Sequence, residues 1–164
     1  MQHEIIQLAG VTLAGIMVRT NNKNEMDPTK AKIGSIMGKY WSQQVADNIQ
    51  NRLSPGKTYA VYCEFEEQDQ GEYTYFIGEE VSADVAQQNS ELQTIMIAPS
   101  RYQKMTTAEG QLPEIVIKAW QNIWQMPADE FKGRRTFQAD FEIYDQRCAN
   151  PEKAIIDIYI GLDG

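Results

Sequence analysis

Few residues in this chain of 164 can carry chemistry, and the first of them is Glu142. It stands between Phe141 and Ile143, with Tyr144 next, in a run that alternates like a strand. Burying a carboxylate there costs free energy unless it finds a partner. It can stay protonated, pair with an internal arginine or wait for a cationic ligand; on an alternating strand it can also simply face water. Glu64, between Cys63 and Phe65, lies in a comparable run. It reads either as a second carboxylate for general acid–base work or as an exposed strand glutamate. Around these acids the chain is rich in aromatics, among them Tyr40, Trp41, Tyr73, Tyr75, Trp120, Phe137 and Tyr144. Such side chains stack on flat ligands and attract cations at roughly 0.5–2 kcal/mol per contact. The plainer alternative is an aromatic core, and Trp124 is placed there.

Other chemistries find no support. His3 is the one histidine and is expected in a frayed terminus, so a serine or cysteine nucleophile has no base beside it. No metal site or cofactor is expected. Cys63 and Cys148 form no CxxC pattern, and Cys63 reads as a small core residue. Gly34 and Gly38, four apart on a helix, suggest close packing rather than a phosphate loop. Arg134-Arg135 reads as a solvated basic pair. The formal charge of −8 disfavours direct contact with nucleic acid, and no helix-turn-helix with a basic recognition helix is apparent. No run of about 18 apolar residues suggests a membrane span. The first residues do not resemble a signal peptide, so a cytoplasmic location is expected.

These residues need elements to position them. Residues 8–19 read as a strand, with Gly10 as the place where it could break. Asp27-Pro28 reads as a helix start, and apolar residues from Ile33 to Ile49 recur at helical spacing, predicting a helix over 28–52. Tyr59 to Phe65 alternates as a strand, residues 67–71 turn the chain, and residues 72–81 read as the returning strand of a hairpin. After a polar loop over 84–90 the order repeats. A strand at 92–97 continues past Pro99 to 107, and a helix is predicted over 112–125. Strands follow at 137–144 and 153–162. The pattern is βαββ twice, over about 8–82 and 92–162, within one α+β domain. The halves should pack around a shared core.

Two sets of residues resemble the GyrI-like family of small-molecule-binding domains, the effector-binding type found in AraC regulators and built from duplicated SHS2-like modules. One is Tyr59-Ala60-Val61-Tyr62 followed by Gly71 to Val81. The other is Ala119-Trp120, Trp124, Met126-Pro127, Phe141-Glu142-Ile143-Tyr144 and Ile156 to Ile160. The resemblance runs from about Leu8 to Leu162. It implies antiparallel sheets, two main helices and a central groove that takes drug-like, aromatic or cationic molecules. The family's functional carboxylate, in its Phe-Glu-x-Tyr motif, falls on Glu142. Trp120, Trp41, Tyr40, Tyr75, Tyr73, Phe137, Tyr144 and Glu64 are the residues expected to join it in the groove. Relatives of this kind also include hydrolases of cyclopropane-bearing DNA-alkylating toxins. That activity would make Glu142 the catalytic acid or base, with Tyr144 or Tyr75 beside it. A third possibility is a protein-interaction role, with gyrase or a transcription regulator as partner. One departure is visible: Ala128-Asp129 follows Pro127 where the family often has serine.

Overall fold

The computed structural model describes residues 1–68, 70–83 and 90–164; the loop expected over 84–90 lies almost wholly outside the described residues, as does Asp69 in the turn before it. The strand expected over 8–19 is β2 (Val11–Asn21), and an unexpected strand, β1 (Gln2–Leu8), precedes it and parts from it at Ala9-Gly10. The corner is tight. A Cβ on Gly10 would stand 3.0 Å from the Ile97 carbonyl oxygen and 3.1 Å from Pro99 Cδ. β1 runs along β6 (Ser100–Thr106), with Gln2 opposite Thr106 and Leu8 opposite Ser100. β2 lies between β4 (Glu72–Glu80) and β5 (Gln93–Ile97). His3 is therefore not frayed. It is a strand residue opposite Met105, and its Nδ1 is 3.0 Å from Gln103 Nε2.

The second half divides in the same way. β5 and β6 part at Ala98-Pro99, and β5 crosses to β2 of the first half. Each half is thus ββαββ rather than βαββ, and each lends its leading strand to the other. With β3 (Thr58–Cys63), β7 (Ala139–Tyr144) and β8 (Asp157–Leu162), the result is one eight-stranded antiparallel sheet in place of separate sheets. Its order is β1-β6-β8-β7-β3-β4-β2-β5. β3 and β7 meet at its centre, Thr58 opposite Tyr144 and Cys63 opposite Ala139.

Both main helices lie over one face. α2 (Ile33–Ser42) contributes Ile36 and Tyr40, and α3 (Glu114–Gln125) contributes Ala119, Trp120 and Ile123. They pack on Tyr75, Ile77, Met105, Ile156, Ile158 and Ile160 of the same core. The helix expected over 28–52 is much shorter than its apolar pattern suggested. Asp27 does not cap it; its Oδ1 accepts hydrogen bonds from the amide and hydroxyl of Thr29 in a turn. The cap comes from Glu25, at the end of the single-turn α1 (Asn22–Glu25), whose carboxylate accepts from the amides of Lys32 and Ile33. Gln44, at φ 49°, ends the helical run, and Val45 is buried from a 3-10 turn instead. Nothing lies within 4 Å of a Cβ built on Gly34 or Gly38, so close packing does not explain these glycines. Gly34→Ala and Gly38→Ala are each expected to raise the unfolding free energy by about 0.5–1 kcal/mol in a denaturant titration. A loss of stability in either would mean that the helix wall has less room than its surroundings show.

The opposite face buries Leu13, Val61, Phe76, Tyr102, Phe141 and Ile143 with neither main helix over it. The sheet covers this face by curling. Leu8, Val11 and Ile97, from the outer strands, meet Tyr59 and Ile143, from the central ones, around a cavity of about 80 Å³. Gly15 and Gly78, paired across β2 and β4, allow the bend: a Cβ on either would collide with the backbone of the other strand.

Candidate functional site: a cleft with a buried carboxylate

α2 and α3 leave a cleft of about 1160 Å³ above the sheet centre. Its floor is set by strand alternation. On β7, Asp140, Glu142 and Tyr144 turn toward the helices while Phe141 and Ile143 turn into the other core. β3 adds Tyr62 and β4 adds Tyr73. The walls are Ile33, Met37 and Trp41 from α2, and Val116, Trp120 and Trp124 from α3.

Glu142 is 1 % exposed. Its Oε2 accepts hydrogen bonds from the Tyr62 hydroxyl at 2.8 Å and from Trp120 Nε1 at 2.6 Å, and its Oε1 accepts from the Tyr144 hydroxyl at 2.6 Å. All three donors are neutral. Burial pushes the carboxyl above the ordinary glutamate range, and the bonds from Tyr144, Trp120 and Tyr62 pull partly back. Burial, reinforced by the Glu142 charge, also holds the Tyr62 and Tyr144 phenols well above the usual tyrosine range, so both stay protonated and donate. The arrangement can hold a negative charge in an apolar setting, with no cation bonded to the carboxylate among the described residues.

Of the residues expected at the site, Glu142, Trp120, Trp41, Tyr73 and Tyr144 line the cleft. Tyr73 also donates from its hydroxyl to Asn22 Oδ1 at 3.0 Å. Four do not line it. Tyr40 is 1 % exposed beneath α2 and meets the neighbouring Trp41 edge-on at 5.0 Å. Tyr75 is buried behind Tyr62, edge-on at 5.3 Å. Phe137 sits behind Arg135, whose guanidinium carbon is 4.2 Å from its ring centre. Glu64 lies past the end of β3 with φ 52°, exposed, its carbonyl accepting from Arg19. It does not stand beside Glu142; the residue facing Glu142 across β3 is Ala60. Trp124, expected in the core, is 56 % exposed at the cleft. Arg135 is not solvated: it lines the cleft, 15 % exposed, and pairs with Asp140 at 2.8 Å. Tyr62, Asp140 and Arg135 are the site residues the sequence reading passed over. Tyr62 carried a signal, since it shares strand parity with Ala60, the residue that faces Glu142.

A curled antiparallel sheet bearing two helices on one face, with an apolar cleft between them, is the architecture of an effector-binding domain. The chain matches the Cass2 family of integron-associated effector binding proteins over residues 4–162, and it belongs to that GyrI-like family. YobU of Bacillus subtilis (strain 168), which carries the name of a transcriptional regulator, is 29 % identical over 149 residues, 91 % of this chain and 90 % of that protein. Among solved structures, SAV2435 bound to tetraphenylphosphonium is similar with a TM-score of 0.78 at 20 % identity, covering 100 % of this chain and 95 % of that one. The Vibrio cholerae integron cassette protein VCH_CASS2 is similar at 0.72 and 23 % identity, covering 98 % and 95 %. A Staphylococcus aureus MU50 protein named as a bacterial transcription regulation protein is similar with a TM-score of 0.75 at 18 % identity, covering 100 % of this chain and 99 % of that one. Among the described residues, no helix is long and apolar enough to cross a membrane.

Proposed function

We propose that this chain binds bulky aromatic or lipophilic cations in the cleft, with Glu142 as the counter-charge. The observation that carries the reading is a fully buried carboxylate on the cleft floor whose hydrogen-bond partners are all neutral. A carboxylate so placed gains a Coulomb partner when a cation enters, and the apolar walls bury the rest of the ligand. That SAV2435 takes tetraphenylphosphonium, a cation of this kind, supports the same role here. We read the chain as one binding domain of two repeats, about 8–82 and 92–162, acting in the cytoplasm. Any regulatory output would pass through a protein partner, because the charge of −8 opposes direct contact with nucleic acid.

Binding is favoured over hydrolysis by the state of Glu142. A carboxylate offers about four lone-pair sites, and three are already engaged by Tyr62, Trp120 and Tyr144. Little is left to orient a water. Titration with tetraphenylphosphonium should quench tryptophan emission saturably, because Trp41, Trp120 and Trp124 all line the cleft. An uncharged ligand of the same shape, tetraphenylmethane-like and solubilised, should bind more weakly. Equal affinity for the charged and uncharged forms would refute the counter-charge role.

A further inference from the structure

The cleft holds a second polar feature that a simple cation leaves unused. Arg135 reaches it from a segment pinned to β8: Arg135 bridges Leu162, the Thr136 amide donates to the Gly161 carbonyl at 3.0 Å, and the Arg134 amide donates to Asp163 Oδ1 at 2.9 Å. The guanidinium lies over the Phe137 ring at 4.2 Å and near Phe131 at 5.9 Å. It donates to Asp140 Oδ2 through Nη2, while its Nε, closed off from solvent, has no acceptor among the described residues. A guanidinium carries several N–H donors in one planar fork, and Arg135 lines the cleft 15 % exposed, so donors beyond the one given to Asp140 are within a ligand's reach. Asp140 is itself 1 % exposed, and its other oxygen accepts from the Gly161 amide at 2.9 Å. The Arg135–Asp140 pair is therefore close to neutral as a unit, so it suits a neutral acceptor better than an anion. Asp140 and Glu142 stand two residues apart on β7, so the guanidinium's partner and the carboxylate share one floor of the cleft.

We propose that Arg135 forms an acceptor subsite, so that the preferred ligands are aromatic cations carrying a carbonyl or similar neutral acceptor on one of their rings. This rests on the reading of Glu142 as the cation's partner and adds to it a rule for selectivity. The fixed backbone and the stacked Phe137 hold the guanidinium in place before the ligand arrives, which reduces the ordering cost of the bond.

Two probes of nearly equal shape test it: triphenylphosphonium ions with a para-acetylphenyl or a para-isopropylphenyl fourth arm. A hydrogen bond to a charged donor is worth about 1.5–3 kcal/mol, so the wild type should prefer the acetyl ion by roughly 10- to 100-fold. In Arg135→Met/Asp140→Asn, which removes donor and counter-charge together, the preference should fall to about one. If that variant fails to fold, Arg135→Lys, which keeps the charge but not the planar fork, must still lower the preference. A wild-type ratio at or below one, or a ratio unchanged in the variants, overturns the subsite while leaving the Glu142 reading standing. Failure of both ions to bind the wild type overturns the cation site itself.

Discussion

Glu142→Gln is expected to bind tetraphenylphosphonium about 30-fold or more weakly than the wild type while melting at a higher temperature at pH 8. The binding loss follows from removing one partner of a desolvated charge pair, typically ~2–5 kcal/mol. The gain in stability follows from the sign of the shift. Burial raises the folded-state pKa of Glu142 above its ordinary value near 4.5. Between those two values the folded chain holds a proton that the unfolded chain has released. Stability from this group is therefore full below the ordinary value and is lost as pH rises through the raised one. Glutamine never charges and never meets that penalty. Its carbonyl can accept from Trp120 and Tyr62, and its amide can donate to the Tyr144 hydroxyl, which turns to accept. Thermal unfolding of both proteins from pH 4 to 8 checks this. The curves should nearly meet at the acid end and separate upward. If the variant is the less stable protein at pH 8, the carboxylate contributes to the fold as a charge, and a binding loss could no longer be assigned to the counter-charge.

The elements of this fold differ in how far the sequence disclosed them. α3 and the central strands β3, β4, β7 and β8 follow from local periodicity, because each buries a face that its own alternation defines. β1 gave no such signal: Gln2, His3 and Glu4 form an exposed edge that is held by pairing with β6, about a hundred residues away. The exchange of leading strands between the halves is likewise a long-range choice. The overlong first helix arose because Val45 and Ile49 keep helical spacing, although Val45 is buried from a 3-10 turn and Ile49 from the extended position that closes it.

At the site, residue type was more legible than direction. Tyr40 and Trp41 are neighbours about 100° apart on α2, yet one is 1 % exposed under the helix and the other 50 % exposed at the cleft. Only the packing of α2 on the sheet decides which is which. Glu64 and Glu142 share an aromatic setting in sequence, but β3 ends at Cys63 whereas Glu142 lies inside β7, opposite Ala60. One helix face and one strand register thus separate the two acids and the two aromatics. Arg135 looked like half of a solvated basic pair because nothing local announces its partner Asp140, five residues on across a turn.

The second large effect concerns pH. A permanent cation needs the charged form of Glu142, and in the free protein that form is depleted by the burial that raises its pKa. Below the raised value, apparent affinity for tetraphenylphosphonium should fall toward tenfold per pH unit, and above it affinity should level off, as for any ligand that binds only the competent fraction. The ligand itself does not titrate, and Tyr62 and Tyr144 remain protonated throughout because burial holds their phenols high. The slope would therefore report the carboxyl. By reciprocal linkage the bound cation lowers the pKa of Glu142, so binding inside that window releases a proton. Calorimetric titrations in two buffers of different ionisation enthalpy should reveal up to about one proton released per cation bound, shrinking to none well above the window. Glu142→Gln should show neither the slope nor the release. A wild-type affinity that is flat from the ordinary glutamate range upward, with no proton released, would place the charge-bearing partner of the cation elsewhere in the cleft.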